Sequence, residues 1–420
     1  MKPVGEGELT MATAAEVVGM STSRLNRINP VMQGYVDRGT LSGINVRINR
    51  HGETVFDAQY GNRDAEAGLP MTADTIFRIY SMTKPIVSTA LMLLLEEGKF
   101  RLTDPVAAYI PAFAATKVMG PGGTLVDQAR PMQVRDVLSH TSGLTYDFLP
   151  DFESGELYRK ARLMNDPKRT LESLIDELAT IPLAFQPGTR WHYSVGIDVA
   201  ARLVEVISGQ PLGKFLQDRM FGPLGMTDTG FGVAAAKVSR LAAMYGHPDL
   251  CAQDQTLLKI FSPGSMGVYA RHDVSDTYPT DIPDLFVRGG HGLFSTIGDY
   301  TRFGQMLCNG GELGSERIIG RKTLELMHTN HLPAALLPYE LAGLPNPGWG
   351  FGLGSRVMMN VAEQGGPGSV GEYGWAGAAK TYFWVDPQED LVGVLMTQCM
   401  VGIELPEQDL RALAYQAIID

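Results

Sequence analysis

The fold of this chain is decided by the stretch RIYSMTKP at residues 78–85 and by the apolar run IVSTALMLLL at residues 86–95. The apolar run predicts a buried helix, because it is long for a strand, is rich in Leu, Met and Ala, and is soon followed by a C-cap glycine. Pro85 then lies in the first turn, where its missing N–H costs little. Ser81 is therefore expected at the mouth of the helix, with Lys84 one turn deeper.

Ser81 and Lys84 form a Ser-x-x-Lys pair that can carry nucleophilic chemistry. Residues three apart share one face of a helix, so the Lys84 amine can approach the Ser81 hydroxyl. The unpaired N–H groups and the positive dipole at a helix N-terminus also favour an oxyanion nearby. Chance Ser-x-x-Lys pairs are common, but this one lies between a β-like run at residues 75–80 and a buried helix, which is the context that the chemistry requires.

Length and composition limit the classes of protein that this chain can belong to. At 420 residues it is long for one compact domain, so we expect two lobes or one domain with a large insertion. The net charge of −11 argues against nucleic acid and anionic membrane surfaces as partners. The residues Cys251, Cys308 and Cys399 are odd in number and far apart, which predicts neither a disulfide framework nor a metal site. Without an apolar secretory signal or a membrane-length apolar run, we expect a soluble cytoplasmic protein.

The order of the predicted elements indicates an α/β (α+β) fold. Alternating residues at 43–50 and 54–61 predict an antiparallel hairpin, and three further strands are expected at 350–358, 381–385 and 391–396. We therefore expect an antiparallel sheet built from both termini and flanked by helices, plus a helical lobe. Residues 1–95 and 290–420 would form the first lobe and residues 96–289 the second, with the active site between them and loops at 231–290. Helices are expected at 22–38, 133–140, 169–180, 196–208, 299–309, 321–328 and 407–419.

A serine nucleophile needs a base, and this need directs attention to Tyr193. Lysine and tyrosine have reference pKa values of about 10.4 and 10, so one of the two must be shifted to serve at neutral pH. Placing an amine and a phenol side by side with little solvent can produce that shift. Tyr193 follows a turn and a short extended piece at 186–192 and precedes a helix, which suits the presentation of its side chain.

Three short elements carry a resemblance to a known superfamily. Ser81-Met82-Thr83-Lys84, Tyr193-Ser194-Val195 and Gly374-Trp375-Ala376-Gly377 resemble the active-site elements of serine β-lactamases and penicillin-binding proteins, in the version found in family VIII carboxylesterases. Those esterases are similar to class C β-lactamases. Residues 134–144, 221–226 and 289–296 also match, so that the resemblance runs from about residue 25 to the C-terminus.

The resemblance implies a β-lactamase-like serine hydrolase that works through an acyl-enzyme intermediate. Ser81 would attack an ester carbonyl, and Lys84 and Tyr193 would act as coupled base and acid. The backbone N–H groups of Ser81 and Ala378 would form the oxyanion hole. The same resemblance implies no metal and no cofactor, and a small-molecule ester as the substrate.

Two departures from the β-lactamase pattern concern the substrate. Where β-lactamases have Lys-Thr-Gly, this chain has Trp375-Ala376-Gly377, so the cation that holds a substrate carboxylate is missing. Where they have Tyr-x-Asn, Val195 stands at the third position and cannot bind a substrate amide. Trp375, Gly377 and Val195 are therefore the predicted substrate-binding residues, and they favour small uncharged esters. The preference for a short acyl chain comes from the family.

Three rival functions stay open: an acyltransferase of the same fold, a β-lactam (cephalosporin) hydrolase, and a non-catalytic penicillin-recognising module. The intact set of Ser81, Lys84 and Tyr193 argues against the third. The physiological ester, the stereochemical preference and the oligomeric state do not follow from the sequence.

Other motifs carry less weight. The stretches PGSMG at 263–267 and PGSVG at 367–371 resemble a nucleophile elbow, but each begins with proline and neither lies between a strand and a helix. His328 and His331 are expected at a solvated helix end, because no third metal ligand accompanies them.

Overall fold

The computed structural model describes residues 15–149, 152–164, 166–252, 255–260 and 270–420. The N-terminal residues 1–14 and the PGSMG stretch at 263–267 lie outside these ranges. The strands are β1 (Gly43–Arg50), β2 (Glu53–Asp64), β3 (Leu69–Pro70), β4 (Ile76–Arg78), β5 (Val118–Met119), β6 (Leu125–Val126), β7 (Met244–Gly246), β8 (Ala270–His272), β9 (Phe294–Thr296), β10 (Glu312–Leu313), β11 (Glu316–Arg317), β12 (Glu340–Leu341), β13 (Leu344–Pro345), β14 (Trp349–Phe351), β15 (Arg356–Met358), β16 (Tyr373–Ala376), β17 (Tyr382–Asp386), β18 (Leu391–Met396) and β19 (Cys399–Met400). The helices are α1 (Thr22–Leu25), α2 (Ile28–Asp37), α3 (Thr83–Glu96), α4 (Val134–Leu138), α5 (Glu153–Lys160), α6 (Leu171–Thr180), α7 (Gly196–Ser208), α8 (Leu212–Leu216), α9 (Gly222–Leu224), α10 (Leu257–Ile260), α11 (Ile297–Cys308), α12 (Arg321–Met327), α13 (Val361–Gln364) and α14 (Pro406–Tyr415).

The main sheet joins the two ends of the chain. Its strand order is β14-β15-β16-β17-β18-β1-β2-β3, and all of its neighbouring strands are antiparallel. The N-terminal hairpin meets the C-terminal strands where β1 pairs with β18, with Asn45 opposite Met396 and Arg50 opposite Leu391. The predicted sheet built from both termini is therefore confirmed.

Both faces of this sheet are covered by helices. Along β18, Leu391 and Leu395 pack in one apolar cluster with residues of α2 and α14, whereas Val392 and Val394 pack in another with α11. This alternation follows from the two-residue repeat of a strand. Each such side chain stabilises the fold by about 1.5–3 kcal/mol through burial, which fixes the register of the strand.

Two predicted elements are each divided in the structure. The strand expected at 350–358 is a hairpin of β14 and β15, because the chain turns at Gly354, which has a φ of +96°. The helix expected at 22–38 is broken into α1 and α2. Pro30 lies in the first turn of α2 and would clash with the carbonyl of Asn26, so a continuous helix is disfavoured there.

Helix α3 is the buried centre of the molecule, as the apolar run predicted. Every residue from Thr83 to Leu94 is buried, and the helix packs against α7 and α8. Two of its buried hydroxyls form hydrogen bonds to neighbouring backbone: Thr89 Oγ1 donates to Pro85 O at 2.8 Å, and Thr83 Oγ1 accepts from Leu293 N at 3.1 Å. The buried Ser88 hydroxyl has no hydrogen-bond partner among the described residues. The helix is therefore held in a fixed position relative to the segments on both sides of it.

The division into lobes at residues 95/96 and 289/290 stays a prediction. Strands of the main sheet come from both parts of the first predicted lobe, whereas α4 to α8 come from the second. Helix α3 belongs by sequence to the first lobe but packs against α7 of the second. In the described ranges, the helices are all too short or too polar to cross a membrane.

Candidate active site

Ser81 lies at a sharp entry into helix α3. Strand β4 leads into a 3-10 turn at Tyr80–Met82, directly before the helix begins at Thr83. Tyr80 has a φ of +43°, a conformation that is rare for a residue with a bulky side chain. The Tyr80 ring is buried, and its hydroxyl donates to Asp249 Oδ2 at 3.1 Å. These contacts hold the strained backbone that presents Ser81.

The structure brings Ser81, Lys84 and Tyr193 together. Lys84 Nζ donates to Ser81 Oγ at 3.0 Å, and Tyr193 OH donates to the same oxygen at 2.7 Å. Lys84 Nζ also lies 4.6 Å from the centroid of the Tyr193 ring. The serine oxygen is therefore in direct hydrogen-bond contact with two groups that can exchange a proton with it.

Lys84 is buried, and its amine has a second fixed partner. Only 1% of the residue is exposed, and Nζ donates to the Gly290 carbonyl at 2.7 Å. The Gly290 N–H in turn donates to a carboxylate oxygen of the fully buried Asp198 at 3.1 Å. Burial raises the pKa of Asp198, and the Gly290 N–H and the Lys84 charge oppose this rise. Asp198 thus lies directly behind the lysine and fixes the residue that binds it.

The glycine pair before His291 allows this close packing. A Cβ on Gly290 would lie 2.6 Å from Asp198 Oδ2 and 2.7 Å from Tyr146 OH, which is too close for any side chain. Gly289 is restricted in the same way, since its Cβ would lie 2.4 Å from the Ile197 carbonyl. Sequence reasoning missed Asp198, although the two adjacent glycines at 289–290 were a signal of close backbone approach.

Tyr193 is positioned by a cluster of aromatic rings. The centroids of the His140, Tyr146 and Trp375 rings lie 4.9, 5.2 and 5.6 Å from that of Tyr193. Trp375 Nε1 also donates to the Tyr193 hydroxyl at 3.4 Å. Burial, with a smaller contribution from Lys84, lowers the pKa of His140, so this ring is a neutral packing partner. The phenol is therefore held in one orientation, toward Ser81.

The amides of Ser81 and Ala378 are available for an oxyanion. Gly377 N donates to Thr381 O at 2.7 Å, and Ala378 O accepts from Val401 N at 2.9 Å, which fixes this strand end. Within the part of the chain that the structure describes, the Ser81 and Ala378 amides donate to no protein acceptor. A Cβ on Gly377 would lie 2.5 Å from the Ile79 carbonyl, so only glycine lets the end of β16 approach the segment that carries Ser81.

A cavity of about 360 Å³ opens onto Ser81 and Tyr193. Of the predicted substrate-binding residues, Trp375 and Gly377 line this cavity but Val195 does not. Val195 is 1% exposed, caps helix α7 and packs into the helical core, so its side chain faces away from the cavity. The apolar part of the wall is formed by Phe148, Leu149, Leu250, Leu257, Leu341, Leu344 and Val401.

The cavity wall also carries charge that the sequence reasoning did not anticipate. Arg356, Lys380 and Glu407 lie in its wall, with Lys380 Nζ 3.7 Å from a carboxylate oxygen of Glu407. None of these residues belongs to a recognisable motif, and only the pairing of distant strands brings them to one cavity.

The remaining candidates take no part in this site. His328 follows the last residue of helix α12, as expected, and is partly exposed. Its ring stacks on Tyr373, with ring centroids 3.4 Å apart, and its Nδ1 bonds to the Leu324 carbonyl. Burial lowers the pKa of His328 to about 3. Residues 367–371 form a loop between α13 and β16 and provide no strand-to-helix elbow. In the described ranges, no three His, Cys, Asp or Glu residues group together to hold a metal ion.

Comparison with known proteins finds relatives that match this chain over most of its length. The profile of a protein family described as Beta-lactamase matches residues 28–418. Protein Rv1367c from Mycobacterium tuberculosis is 35% identical over 370 residues, which are 86% of this chain and 87% of that protein. Esterase EstB from Burkholderia gladioli is 30% identical over 378 residues, which are 88% of this chain and 89% of that protein.

A solved structure shows the same architecture. EstCE1, described as a hydrolase with promiscuous acyltransferase activity, matches with a TM-score of 0.77 and 27% sequence identity. The match covers 94% of this chain and 99% of that chain. Relatives of this chain that share its fold thus include an esterase and a hydrolase with acyltransferase activity.

Proposed function

Because the chain belongs to the Beta-lactamase family, we propose that it is a serine carboxylesterase that acts through an acyl-enzyme intermediate. The observation that carries this proposal is the pair of hydrogen bonds on Ser81 Oγ, from Lys84 Nζ at 3.0 Å and from Tyr193 OH at 2.7 Å. Serine is a weak nucleophile at neutral pH and needs a group that removes its proton as it attacks. Here that group is in contact before the substrate arrives.

In the acylation step, Ser81 Oγ attacks the ester carbonyl and its proton passes to the Lys84–Tyr193 pair. The carbonyl oxygen becomes an oxyanion, which the amides of Ser81 and Ala378 stabilise. When the tetrahedral intermediate collapses, the bond to the alcohol breaks and the Lys84–Tyr193 pair returns the proton to the leaving oxygen. Removing one oxyanion donor typically slows such enzymes by about 10²–10³-fold, and acid–base catalysis contributes about 10²–10⁴-fold.

In the deacylation step, a water molecule attacks the acyl-enzyme from the side that the alcohol has left. The same pair takes a proton from the water and returns it to Ser81 Oγ when the acid departs. The Lys84 amine stays beside the reacting oxygen in both steps, because the Gly290 carbonyl accepts from it and Asp198 fixes Gly290. No metal or cofactor takes part in either step as we propose it.

The substrates that we propose are small carboxylic esters with a short and uncharged acyl chain. Trp375 stands where β-lactamases carry the cation of Lys-Thr-Gly, and its indole contacts Tyr193 instead of a substrate carboxylate. Apolar side chains dominate the wall near Phe148, Leu149 and Leu250. A carboxylate next to the scissile bond would lose its hydration there without gaining a cation.

The proposal is tested with p-nitrophenyl acetate and butyrate, together with a phosphonate that labels active serines. The wild-type protein should hydrolyse both esters, and intact-mass and peptide analysis should place the phosphonate on Ser81. Ser81→Ala should abolish turnover and labelling. Ser369→Ala, which changes the serine of the elbow-like stretch at 367–371, is the matched control and should leave both unchanged. Normal turnover in Ser81→Ala would refute the proposed nucleophile.

Acyl transfer to an alcohol is the second candidate, and the largely apolar cavity wall favours it because such a wall limits access of water to the acyl-enzyme. A titration with a primary alcohol would show it as ester formation that rises at the expense of hydrolysis.

The free thiols Cys251, Cys308 and Cys399 favour a reducing compartment, and we propose the cytoplasm as the location of this protein.

A further inference from the structure

The cavity that opens onto Ser81 contains a guanidinium that forms no salt bridge with any described residue. Arg356 lies on strand β15 and lines the cavity wall, at a distance in sequence from every active-site motif. Arg356 forms no salt bridge with any acidic residue that the structure describes. A cation in a partly buried wall normally has a carboxylate partner, because loss of hydration is costly.

The guanidinium is held in place by aromatic residues and not by an acid. Its central carbon lies 4.2 Å from the centroid of the Trp349 ring and 5.4 Å from that of Tyr382. Arg356 Nη2 donates to the Tyr382 hydroxyl at 2.8 Å. Stacking and one hydrogen bond therefore fix the orientation of the group. The Glu372 carboxylate attracts the guanidinium through space but forms no salt bridge with it, so the guanidinium has no contacting acid.

The nearby acids are engaged elsewhere. The Glu372 carboxylate accepts from Arg411 Nε at 2.8 Å and from Arg411 Nη2 at 2.6 Å, and it also accepts from the Tyr415 hydroxyl. Glu407 pairs with Lys380, which also lines the cavity. The charges in the wall are thus Arg356, Lys380 and Glu407, which leaves one net positive charge in the cavity that contains Ser81.

We propose that Arg356 binds a carboxylate carried by the alcohol part of the ester substrate. The planar fork of a guanidinium matches the two oxygens of a carboxylate, and a preorganised group loses little entropy on binding. The carboxylate belongs to the alcohol part because the acyl part is short and uncharged in the proposed function, on which this inference rests. The substrate class is therefore short-chain esters of hydroxy acids, and this class replaces the wholly uncharged ester expected from the sequence.

The test compares two substrates that differ only in charge. The acetate ester of 4-hydroxybenzoate carries the carboxylate, and the acetate ester of 4-hydroxybenzamide is its neutral isostere. The wild-type protein should prefer the carboxylate ester by about tenfold or more in kcat/KM, in line with a charge-assisted hydrogen bond. Added salt should weaken that preference by screening the attraction.

Variants of Arg356 assign the preference to this residue. Arg356→Gln should remove the preference, while kcat/KM for the neutral ester stays within about threefold of the wild type. Arg356→Lys should keep part of the preference. Arg321→Gln removes the same charge from an exposed position on helix α12 and should leave the preference intact. Thermal unfolding of each variant checks that the fold survives.

Three results would overturn the inference. The first is a wild-type protein that does not prefer the carboxylate ester, the second is an Arg356→Gln variant that affects both esters equally, and the third concerns the acyl part. A preference for p-nitrophenyl hemiglutarate over p-nitrophenyl valerate would place the carboxylate on the acyl part and contradict the assignment to the alcohol. If no ester is hydrolysed and Ser81 resists the phosphonate, the proposed function itself fails, which is a distinguishable outcome.

Discussion

Replacement of Gly377 by alanine tests the proposed oxyanion hole most directly. An added Cβ would lie 2.5 Å from the Ile79 carbonyl oxygen and 2.2 Å from Thr381 Oγ1, whereas ordinary contacts begin near 3.4 Å. The Ile79 contact involves backbone that leads directly into Tyr80 and Ser81, so it cannot be relieved by turning a side chain. The end of strand β16 must therefore move away from Ser81 by about 1 Å.

This displacement acts on the amide of Ala378, which follows Gly377 directly. A movement of about 1 Å in a positioned catalytic group can cost about 10²-fold in rate, and complete loss of an oxyanion donor costs about 10²–10³-fold. We expect kcat for p-nitrophenyl acetate to fall by about 100-fold with KM nearly unchanged, because the oxyanion exists only in the transition state.

The control is a glycine that has room for a methyl group. Gly213 lies in helix α8, and a Cβ there would meet only Phe231 at 3.7 Å, so Gly213→Ala should leave kcat unchanged and the helix at least as stable. Steady-state kinetics and thermal unfolding are measured on both variants. A folded Gly377→Ala protein with kcat within threefold of the wild type would refute the oxyanion hole as described.

Three further predictions use the same preparation. Tyr193→Phe removes the hydroxyl that lies 2.7 Å from Ser81 Oγ, and kcat should fall by about 10²–10⁴-fold with the fold intact; near-normal turnover would leave Lys84 as the sole base. Trp375→Lys restores a cation beside the nucleophile and should raise the rate with an anionic cephalosporin relative to p-nitrophenyl butyrate; an unchanged ratio would contradict the role of Trp375. Burial, with a smaller effect of Arg190, lowers the pKa of His192 to about 4, so its contribution to stability is present above pH 6.5 and is lost as pH falls toward 4. Urea unfolding at several pH values should show that the free energy of unfolding falls less on acidification in His192→Gln than in the wild type, by up to about 3 kcal/mol. The same pH dependence in both proteins would mean that other groups cause the acid destabilisation.

Local sequence determined the parts of the molecule that depend on neighbouring residues. Helix α3 follows from ten consecutive apolar or small residues, and the contact between Lys84 and Ser81 follows from their spacing of three. Alternation of residues along β1 and β2, together with the short apolar run of β18, was sufficient to predict strands at both ends of the chain and therefore a sheet made from both termini. Tyr193 became a candidate through its position between a turn and a helix, and the resemblance to a family then gave it a role in the site.

Only the tertiary structure decided the contacts that join distant segments. Tyr193 reaches Ser81 across 112 positions of sequence, and Asp198 reaches Lys84 through Gly290. Packing also turned Val195 away from the cavity and brought Arg356 into its wall, although motif position suggested a role for the first and none for the second. Neighbouring residues determine whether a segment has the periodicity of a helix or of a strand. The position of one segment against another depends on how whole faces pack together, and no local pattern contains that information.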